Sequence, residues 1–335
     1  MKRILVTGAN GFVGRKLCKV LQNTNNYVRA AVRHIAETDS SDGQIFSPSM
    51  DVVAVGEIGL RTDWSSALAG IDTVVHLAAR VHILQEKSQN PIESFRAVNV
   101  QGTERLAQMA AECGISRFVY VSSISVHGNS TGEKAYVEED GANPHGFYAV
   151  SKLEGELALR KIAERSGFDL VIVRPPLVYG PGVGGNFLRL MCWADKGWPL
   201  PLGSVRNLRS FIGIENLVDL LVSCVEHERA AGQTFLAADG EDLSTPDLIR
   251  RVAVLLGRPA RLIPFPVAAL RLAASAFRSD DVMERLCNSL QVNAEKARMV
   301  LGWRPRVSLD EGLKQTTKWY LDTRKDKKIK TNGQT

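Results

Sequence analysis

Tyr148 and Lys152 lie four residues apart at the start of a long helical pattern, and Ser123 follows a strand-like apolar run upstream of them. Side chains at i and i+4 lie on the same face of a helix, so the phenol and the ammonium group can reach one site. A free phenol, with a pKa of about 10, is a poor base at pH 7, but positive charge beside it favours the phenolate. Tyr148 can then exchange a proton with a substrate oxygen that the Ser123 hydroxyl holds. We therefore take Ser123, Tyr148 and Lys152 as candidate catalytic residues.

A glycine-rich segment, TGANGFVG, follows the first apolar run and precedes a helical pattern. Gly8 permits a tight turn, Gly11 lets backbone N–H groups approach a pyrophosphate, and Gly14 allows close packing of the helix on the strand. The short motifs GEI and HLAA follow two later apolar runs, as expected for loops that face the same ligand. Together these segments predict a dinucleotide site that would bring a nicotinamide ring to the candidate catalytic residues.

The end of the second predicted strand bears on the choice of nicotinamide cofactor. An acid at this place would hold the ribose 2′-OH of NAD(H), whereas Arg33 can neutralise and hydrogen-bond a 2′-phosphate. The sequence therefore favours NADP(H). NAD(H) is the alternative, in which Arg33 is a solvated loop residue and Glu37 or Asp39 serves the ribose.

The elements that must position these residues alternate between short β-branched runs and longer amphipathic stretches up to about residue 174. This rhythm predicts an α/β fold with a Rossmann-type doubly wound parallel sheet, whose ligands sit at the carboxyl ends of the strands. The predicted strands are Arg3–Val6, Val28–Val32, Val52–Val55, Thr73–Leu77, Phe118–Ser122 and Leu170–Val173.

The rhythm changes after Pro175, where glycines and prolines become frequent. We expect residues 1–175 to form the dinucleotide-binding domain, residues 176–323 to belong mainly to a smaller C-terminal substrate-binding lobe, and the basic tail 324–335 to be disordered. Within the lobe, Thr245-Pro246-Asp247 is typical of an N-cap, an N1 proline and a first-turn acid.

Composition narrows the function classes. The net charge of +6 suits an anionic ligand, but no basic stripe with interleaved aromatic residues indicates a nucleic-acid partner. The five scattered cysteines lack CxxC or Cys/His spacing, so neither a metal site nor a disulfide framework is predicted. The most apolar later stretch, 265–277, is too short to span a membrane. We expect a cytoplasmic protein without an integral membrane segment, and a homodimer is a candidate assembly.

The motifs TGANGFVG, HLAA, NVQGT, SSISVHG, YAVSK and RPPLVYGPG occur in the order and spacing of the extended short-chain dehydrogenase/reductases. Over residues 2–323 the chain resembles the NAD(P)-dependent nucleotide-sugar epimerase/dehydratase branch of that family. The resemblance implies that Lys152 also contacts the nicotinamide ribose and that Asn99 lies beneath the site, in a structural or a catalytic role. The predicted cofactor-binding residues are Gly8, Asn10, Gly11, Phe12, Val13, Gly14, Arg33, Glu57, Ile58, Leu77, Ala78, Ala79, Asn99, Tyr148, Lys152 and Pro175.

The lobe is similar to the family in the segments that bind the nucleotide diphosphate, which implies substrate contacts by Asn186 and Arg209 in addition to Ser123. An arginine fork matches phosphate oxygens, whereas Asn186 has a helix N-cap as its alternative role. The chain departs from the family's usual RDFIHV by having Ser210 and Gly213. His127 stands where related sequences often have tyrosine, and a lone histidine beside a site more often packs or hydrogen-bonds than acts as a base.

The resemblance leaves several reactions open. Related dehydratases carry Asp-Glu after the serine, and Ile124-Ser125 here disfavours dehydration. We favour an NADPH-dependent UDP-4-keto-6-deoxy-HexNAc 4-reductase of bacterial surface-polysaccharide synthesis, because a reductase must exchange its cofactor and Arg33 points to NADPH. The alternative is a UDP-glucose or UDP-N-acetylglucosamine 4-epimerase. A non-catalytic NADP-binding redox sensor would have no need of Ser123, Tyr148 and Lys152 together.

Overall fold

The structure is a computed structural model that describes residues 1–35, 39–40, 43–81, 90–276 and 280–332. The strands of the described residues are β1 (Arg3–Thr7), β2 (Tyr27–Val32), β3 (Asp39–Ser40), β4 (Gly43–Gln44), β5 (Asp51–Ala54), β6 (Thr73–His76), β7 (Arg117–Val121), β8 (Asp169–Arg174), β9 (Leu177–Tyr179), β10 (Arg209–Gly213), β11 (Thr234–Leu236) and β12 (Asp242–Leu243). The α-helices are α1 (Phe12–Gln22), α2 (Ser65–Leu68), α3 (Pro91–Arg96), α4 (Thr103–Glu112), α5 (Gly146–Ser166), α6 (Gly185–Lys196), α7 (Ile214–Glu226), α8 (Thr245–Leu255), α9 (Val267–Ala276), α10 (Asp280–Cys287), α11 (Glu295–Leu301) and α12 (Leu309–Asn332).

The main sheet has seven strands in the order β11-β8-β7-β6-β1-β2-β5, and all of its neighbouring strands are parallel. The chain winds outward from β1 through β2 to β5, and then resumes on the other side of β1 with β6, β7 and β8. The carboxyl ends of β1 and β6 therefore meet at a topological switch point, where doubly wound sheets bind ligands. The predicted fold class is confirmed, and no end of the six predicted strands is displaced by more than one residue.

Helices cover both faces of this sheet because its strands are apolar on both sides. On one face, α1 and α7 pack on the sheet through fully buried side chains such as Leu17 and Leu217. On the other face, α4 and α5 do so through Leu106 and Leu159. Burying one such leucine contributes roughly 1.5–3 kcal/mol, so the two layers fix the helices that carry the candidate site.

The smaller lobe contains a three-stranded sheet, β12-β10-β9, and helices α6, α8 and α12 pack together around its core. Part of the segment 176–323 returns to the large sheet: α7 packs beside α1, and β11 forms an edge strand on β8. The N-cap of α8 is Ser244, whose hydroxyl accepts from the Asp247 N–H, and so lies one residue before the predicted Thr245.

The last helix of the described residues is α12. Helix α12 continues to Asn332, within the segment 324–335 for which a disordered tail is predicted. After Gly312 this segment contains no glycine or proline before the end of the helix, so nothing interrupts it. Arg324 also bonds the buried carboxylate of Asp195 on α6, which ties the helix to the lobe. No helix among the described residues is long and apolar enough to cross a membrane.

Candidate functional site

The glycine loop between β1 and α1 is closely packed. Gly8 has a φ of 63°, and a Cβ there would lie 2.9 Å from the Ala78 nitrogen. A Cβ on Gly14 would lie 2.2 Å from the Gly8 oxygen. Only glycine permits both approaches. The loop delivers the N-terminus of α1, which no side chain caps, to the switch point, where its N–H groups favour an anion.

A cavity of about 580 Å³ lies at this N-terminus, within the range of about 300–1,000 Å³ that is usual for ligand sites. Its lining includes twelve predicted cofactor residues, namely Gly8, Asn10, Gly11, Phe12, Val13, Gly14, Arg33, Glu57, Ile58, Leu77, Ala78 and Ala79. Sequence reasoning missed others that line it, namely Thr7, Ala31, Val32, Val55, Trp64, Arg80, Val81 and Val98. The predicted residues Asn99, Tyr148, Lys152 and Pro175 are not part of this wall. The cavity volume and the glycine turn at the helix N-terminus fit a dinucleotide.

Arg33 stands at the rim of the cavity beside an acid. Its Nη1 atom lies 3.6 Å from Oε1 of Glu57, and the two side chains are 55% and 75% exposed. Exposed pairs of this kind contribute about 0–1 kcal/mol to stability, so the pair bears on the local charge more than on the fold. Glu37 and the side chain of Asp39, the alternative ribose contacts, lie outside the described residues.

Ser123 and Tyr148 meet where β7 ends and α5 begins. The Ser123 side chain is near enough to Tyr148 to act on its pKa, and the Ser125 hydroxyl donates to Ser123 Oγ at 2.9 Å. Burial raises the pKa of Tyr148 to about 12, and the nearby Ser123 side chain offsets only part of this effect. The phenol is therefore held protonated in the protein itself. Positive charge beside it is required to form phenolate near neutral pH.

Lys152, one helical turn beyond Tyr148, is 1% exposed. Its Nζ atom lies 3.9 Å from the centre of the Tyr120 ring. Burial lowers the pKa of Lys152 to about 7, although the carboxylate of Glu156 acts in the opposite direction. The charge of Lys152 is thus poised near neutral pH, where a small change in its surroundings alters the protonated fraction.

A buried polar chain continues behind Lys152. Arg174 at the end of β8 donates to both carboxylate oxygens of Glu156, at 3.0 and 2.5 Å. Its Nη1 atom also lies 2.7 Å from Nε2 of His127, whose ring stacks on Tyr136. An arginine always donates, so Nε2 accepts and the imidazole is neutral. His127 is thus a hydrogen-bonding residue that supports Arg174.

Asn99 lies in a π-helical turn, Ala97–Gly102, between α3 and α4. Its side chain accepts from Arg80 N at 2.8 Å and donates to Arg80 O at 3.0 Å. It also donates to Ser151 Oγ at 2.9 Å, and Ser151 in turn bonds the Tyr148 carbonyl. A Cβ on Gly155 would lie 2.6 Å from Asn99 O, so glycine lets α5 approach the turn. These contacts support the structural alternative for Asn99: it joins the loop after β6 to the helix of Tyr148.

The predicted substrate residues lie in the lobe. Asn186 is exposed in the first turn of α6, but Gly184 is the N-cap and no side chain caps this helix, so the N-cap alternative is wrong. Arg209 begins β10 and donates to the Asn288 carbonyl at 2.9 Å. Burial, and then the positive charge of Arg285, lower the pKa of Arg209 to about 10. The positive charges of these two residues together favour an anion in their vicinity.

Sequence reasoning missed Arg285 because only the packing of α10 on the lobe brings it near Arg209.

The departures from RDFIHV have local explanations. The Ser210 hydroxyl donates to Asp242 at 2.5 Å and accepts from Val292 N at 2.8 Å. A Cβ on Gly213 would come within 3.4 Å of the Tyr179 hydroxyl, which itself bonds Asp239. At these two positions of the lobe, the chain therefore has polar contacts that do not depend on the Asp and His of the usual motif.

Comparison with known proteins agrees with this geometry. The family described as "NAD dependent epimerase/dehydratase family" matches residues 4–238. A UDP-glucose 4-epimerase of Vibrio cholerae is 41% identical and covers 96% of each chain, and one of Mycolicibacterium smegmatis is 29% identical and covers 95% of this chain and 98% of its own. The structure of a UDP-glucuronic acid 4-epimerase from Bacillus cereus in complex with NAD superposes with a TM-score of 0.78, over 96% of this chain and 99% of that one. The two sequences are 23% identical, and at this identity the similarity shows the fold. With both the family match and the Vibrio relative spanning most of its length, the chain belongs to the NAD-dependent epimerase/dehydratase family of enzymes.

Proposed function

We propose that this protein is a UDP-sugar 4-epimerase that acts on UDP-glucose or UDP-N-acetylglucosamine. The observation that carries the proposal is the grouping of Tyr148 with Ser123 and buried Lys152, at the edge of the sheet that also bears the dinucleotide cavity. The name of the Vibrio cholerae relative supports epimerisation. Because this relative is 41% identical, the epimerase takes precedence over the 4-reductase favoured by the sequence.

We propose NAD(H) as the cofactor. NAD, when bound, supplies a hydride acceptor for the sugar carbon and returns the hydride within the same turnover, so an epimerase has no need of the NADPH pool. Arg33, on which the predicted preference for NADP(H) rests, lies 3.6 Å from Glu57. The carboxylate offsets the positive charge of Arg33 and would repel a 2′-phosphate. The glycine turn and the uncapped N-terminus of α1 would hold the pyrophosphate.

The side chains of this site can carry out the proton transfer at sugar O4. Tyr148 takes the hydroxyl proton while C4 is oxidised and gives it back when C4 is reduced, and the Ser123 hydroxyl holds the same oxygen. Lys152 favours the phenolate form of Tyr148 by its positive charge. General acid–base groups of this kind typically contribute about 10²–10⁴-fold to the rate.

Arg209, Arg285 and Asn186 would hold the nucleotide diphosphate. The two guanidinium groups match phosphate oxygens, and because neither lines the dinucleotide cavity, the anion would lie outside it. Holding the substrate by its diphosphate leaves the sugar ring free to present either face at C4, which inversion requires. A cytoplasmic location and a homodimer remain predictions.

The purified full-length protein should be given UDP-glucose and, separately, UDP-N-acetylglucosamine without added cofactor. We expect the 4-epimer of at least one of them to form, with Tyr148→Phe as the inactive control. Denaturation of the protein should release NAD(H) rather than NADP(H). Stoichiometric NADPH consumption with a UDP-4-keto sugar, without interconversion of 4-epimers, would reject the proposal and restore the reductase.

A further inference from the structure

The catalytic helix α5 buries a third titratable residue in line with the first two. Tyr148, Lys152 and Glu156 follow one another at intervals of four residues, so they share one face of the helix. Lys152 and Glu156 are each 1% exposed. A buried carboxylate beside a buried ammonium favours the charged form of both groups.

The Glu156 carboxylate cannot turn away from this face. Arg174 binds it through two nitrogens, at 3.0 and 2.5 Å, and the pair is almost completely buried. His127 accepts from the same guanidinium at 2.7 Å and is itself stacked on Tyr136 at 5.2 Å between ring centres. A buried ion pair of this kind is weak support for stability alone, because removing both charges often costs little. A role in the chemistry gives a stronger reason for it.

We propose that Glu156 and Arg174 are positioning residues that together set the charge of Lys152, Glu156 favouring the ammonium form and Arg174 opposing it, while His127 fixes Arg174. The inference rests on the proposed use of Lys152 beside Tyr148. Glu156 acts through Lys152 and has no contact with the substrate in this scheme.

The groups that face Lys152 from the surrounding elements support this assignment. Tyr120 of β7 is neutral because burial raises its pKa well above the usual value. Burial, and then the charge of Lys152, lower the pKa of His76 on β6 to about 3, so it is neutral as well. Burial and Arg174 lower the pKa of His127. Tyr148 of α5 is held protonated, as described above. Glu156 is thus the acid that acts on Lys152 among the described residues.

Two variants that break the same ion pair should shift the titration of Lys152 in opposite directions. Glu156→Gln removes the negative charge and should lower its midpoint by about one pH unit or more, whereas Arg174→Gln leaves that charge uncompensated and should raise the midpoint. The midpoint can be read in the full-length protein labelled with ¹³C at lysine Cε, with Lys152→Met identifying the resonance. The alkaline limb of kcat should move with it, while KM for the UDP-sugar changes less.

Glu154→Gln is the matched control on the same helix. Glu154 pairs with Arg96 at 2.6 Å on the outer, partly exposed side, so its loss should leave the Lys152 midpoint unchanged. Where a single variant does not fold, Glu156→Asp should keep the midpoint near that of the wild type, and the double variant Glu156→Gln/Arg174→Gln should lie between the two single variants. Equal midpoints in all variants, or shifts of Glu156→Gln and Arg174→Gln in the same direction, would overturn the inference.

The two proposals fail in different ways. The lysine titration is read without sugar turnover, so opposite shifts in a protein without 4-epimerase activity would reject the proposed function and leave the inference intact. If the protein is an active 4-epimerase but Glu156→Gln does not shift the midpoint of Lys152, the inference is rejected and the proposed function stands.

Discussion

The Nζ atom of Lys152 lies 3.9 Å from the centre of the Tyr120 ring, enclosed between α5 and the sheet. This contact with the aromatic face stabilises the ammonium form. Burial nevertheless lowers the pKa of Lys152 from its usual 10.5 to about 7. The folded protein therefore keeps this charge at the expense of its own stability.

Lys152→Met should stabilise the protein while abolishing its activity. Between about pH 7 and 10.5 the unfolded chain binds more protons at Lys152 than the folded protein does, so the free energy of unfolding rises with pH in this window. In Lys152→Met the free energy of unfolding should no longer rise with pH in this way. The melting temperature of the variant at pH 7 should be at least about 2 °C above that of the wild type. Thermal melts at pH 7 and pH 9 test this, with Lys161→Met on the exposed side of α5 as the control. A lower melting temperature for Lys152→Met would contradict it.

Tyr148→Phe should leave cofactor binding nearly unchanged and lower kcat by about 10²–10⁴-fold, because the phenol supplies the proton. The pair of measurements is kcat on the UDP-sugar and the amount of nicotinamide cofactor that co-purifies. Tyr136→Phe, which removes a hydroxyl bonded to the Ser130 carbonyl outside the proton path, should retain most of the activity. If Tyr148→Phe turned over the UDP-sugar at nearly the wild-type rate, Tyr148 would not be the proton-transfer group.

Glu57→Gln should raise the affinity for NADP(H) relative to NAD(H), because it removes the carboxylate that lies 3.6 Å from Arg33. Arg33→Asp should have the opposite effect. A charge-assisted contact is worth about 1.5–3 kcal/mol, which corresponds to roughly tenfold or more in the affinity ratio. Titration of NADP(H) and NAD(H) into both variants measures the ratio of the two affinities. Because both cofactors contain adenine, the effect of any contact between Glu57 and adenine cancels in this ratio. Unchanged ratios in both would show that neither residue selects the cofactor.

Asn99→Asp should destabilise the protein by about 1–3 kcal/mol, because it removes the donor to Arg80 O and Ser151 Oγ while keeping the acceptor for Arg80 N. Chemical denaturation measures this free energy of unfolding. Gln101→Glu, an exposed change in the same π-helical turn, should have little effect. A stability of Asn99→Asp equal to that of Gln101→Glu would mean that this junction contributes nothing.

The six strands and the glycine loop were predictable because their patterns are local: β-branched runs, turns and helical spacing lie within a few residues of each other. Strand β11 was not, since Thr234–Leu236 is only three residues long and is defined by pairing with β8. The i, i+4 spacing of Tyr148 and Lys152 was also readable. The contacts of Glu156 with Arg174 were not, because an ion pair between a helix and a strand leaves no periodic signal in the sequence.

The same limit applies to charge in the site. From residue types alone Lys152 is expected to lower the pKa of Tyr148, whereas in the structure burial raises the pKa of Tyr148 and lowers that of Lys152. Burial depends on packing that no short motif encodes. The N-cap of α8 is a smaller example of a feature that the sequence alone does not determine. Ser244 and Thr245 are both good capping residues, and the backbone conformation decides which of them is the N-cap.

The return of α7 and β11 to the large sheet has a consequence for engineering. Lobe and sheet are interleaved along the chain, so a cut at residue 175 would leave β8 with an unpaired edge and strip α7 from its place beside α1. Such a fragment would expose apolar surface and aggregate rather than fold. For the same reason, the sugar preference of one relative cannot be transferred to another by exchanging a single contiguous block. A working chimera would have to replace the lobe segments on both sides of α7 and β11 together.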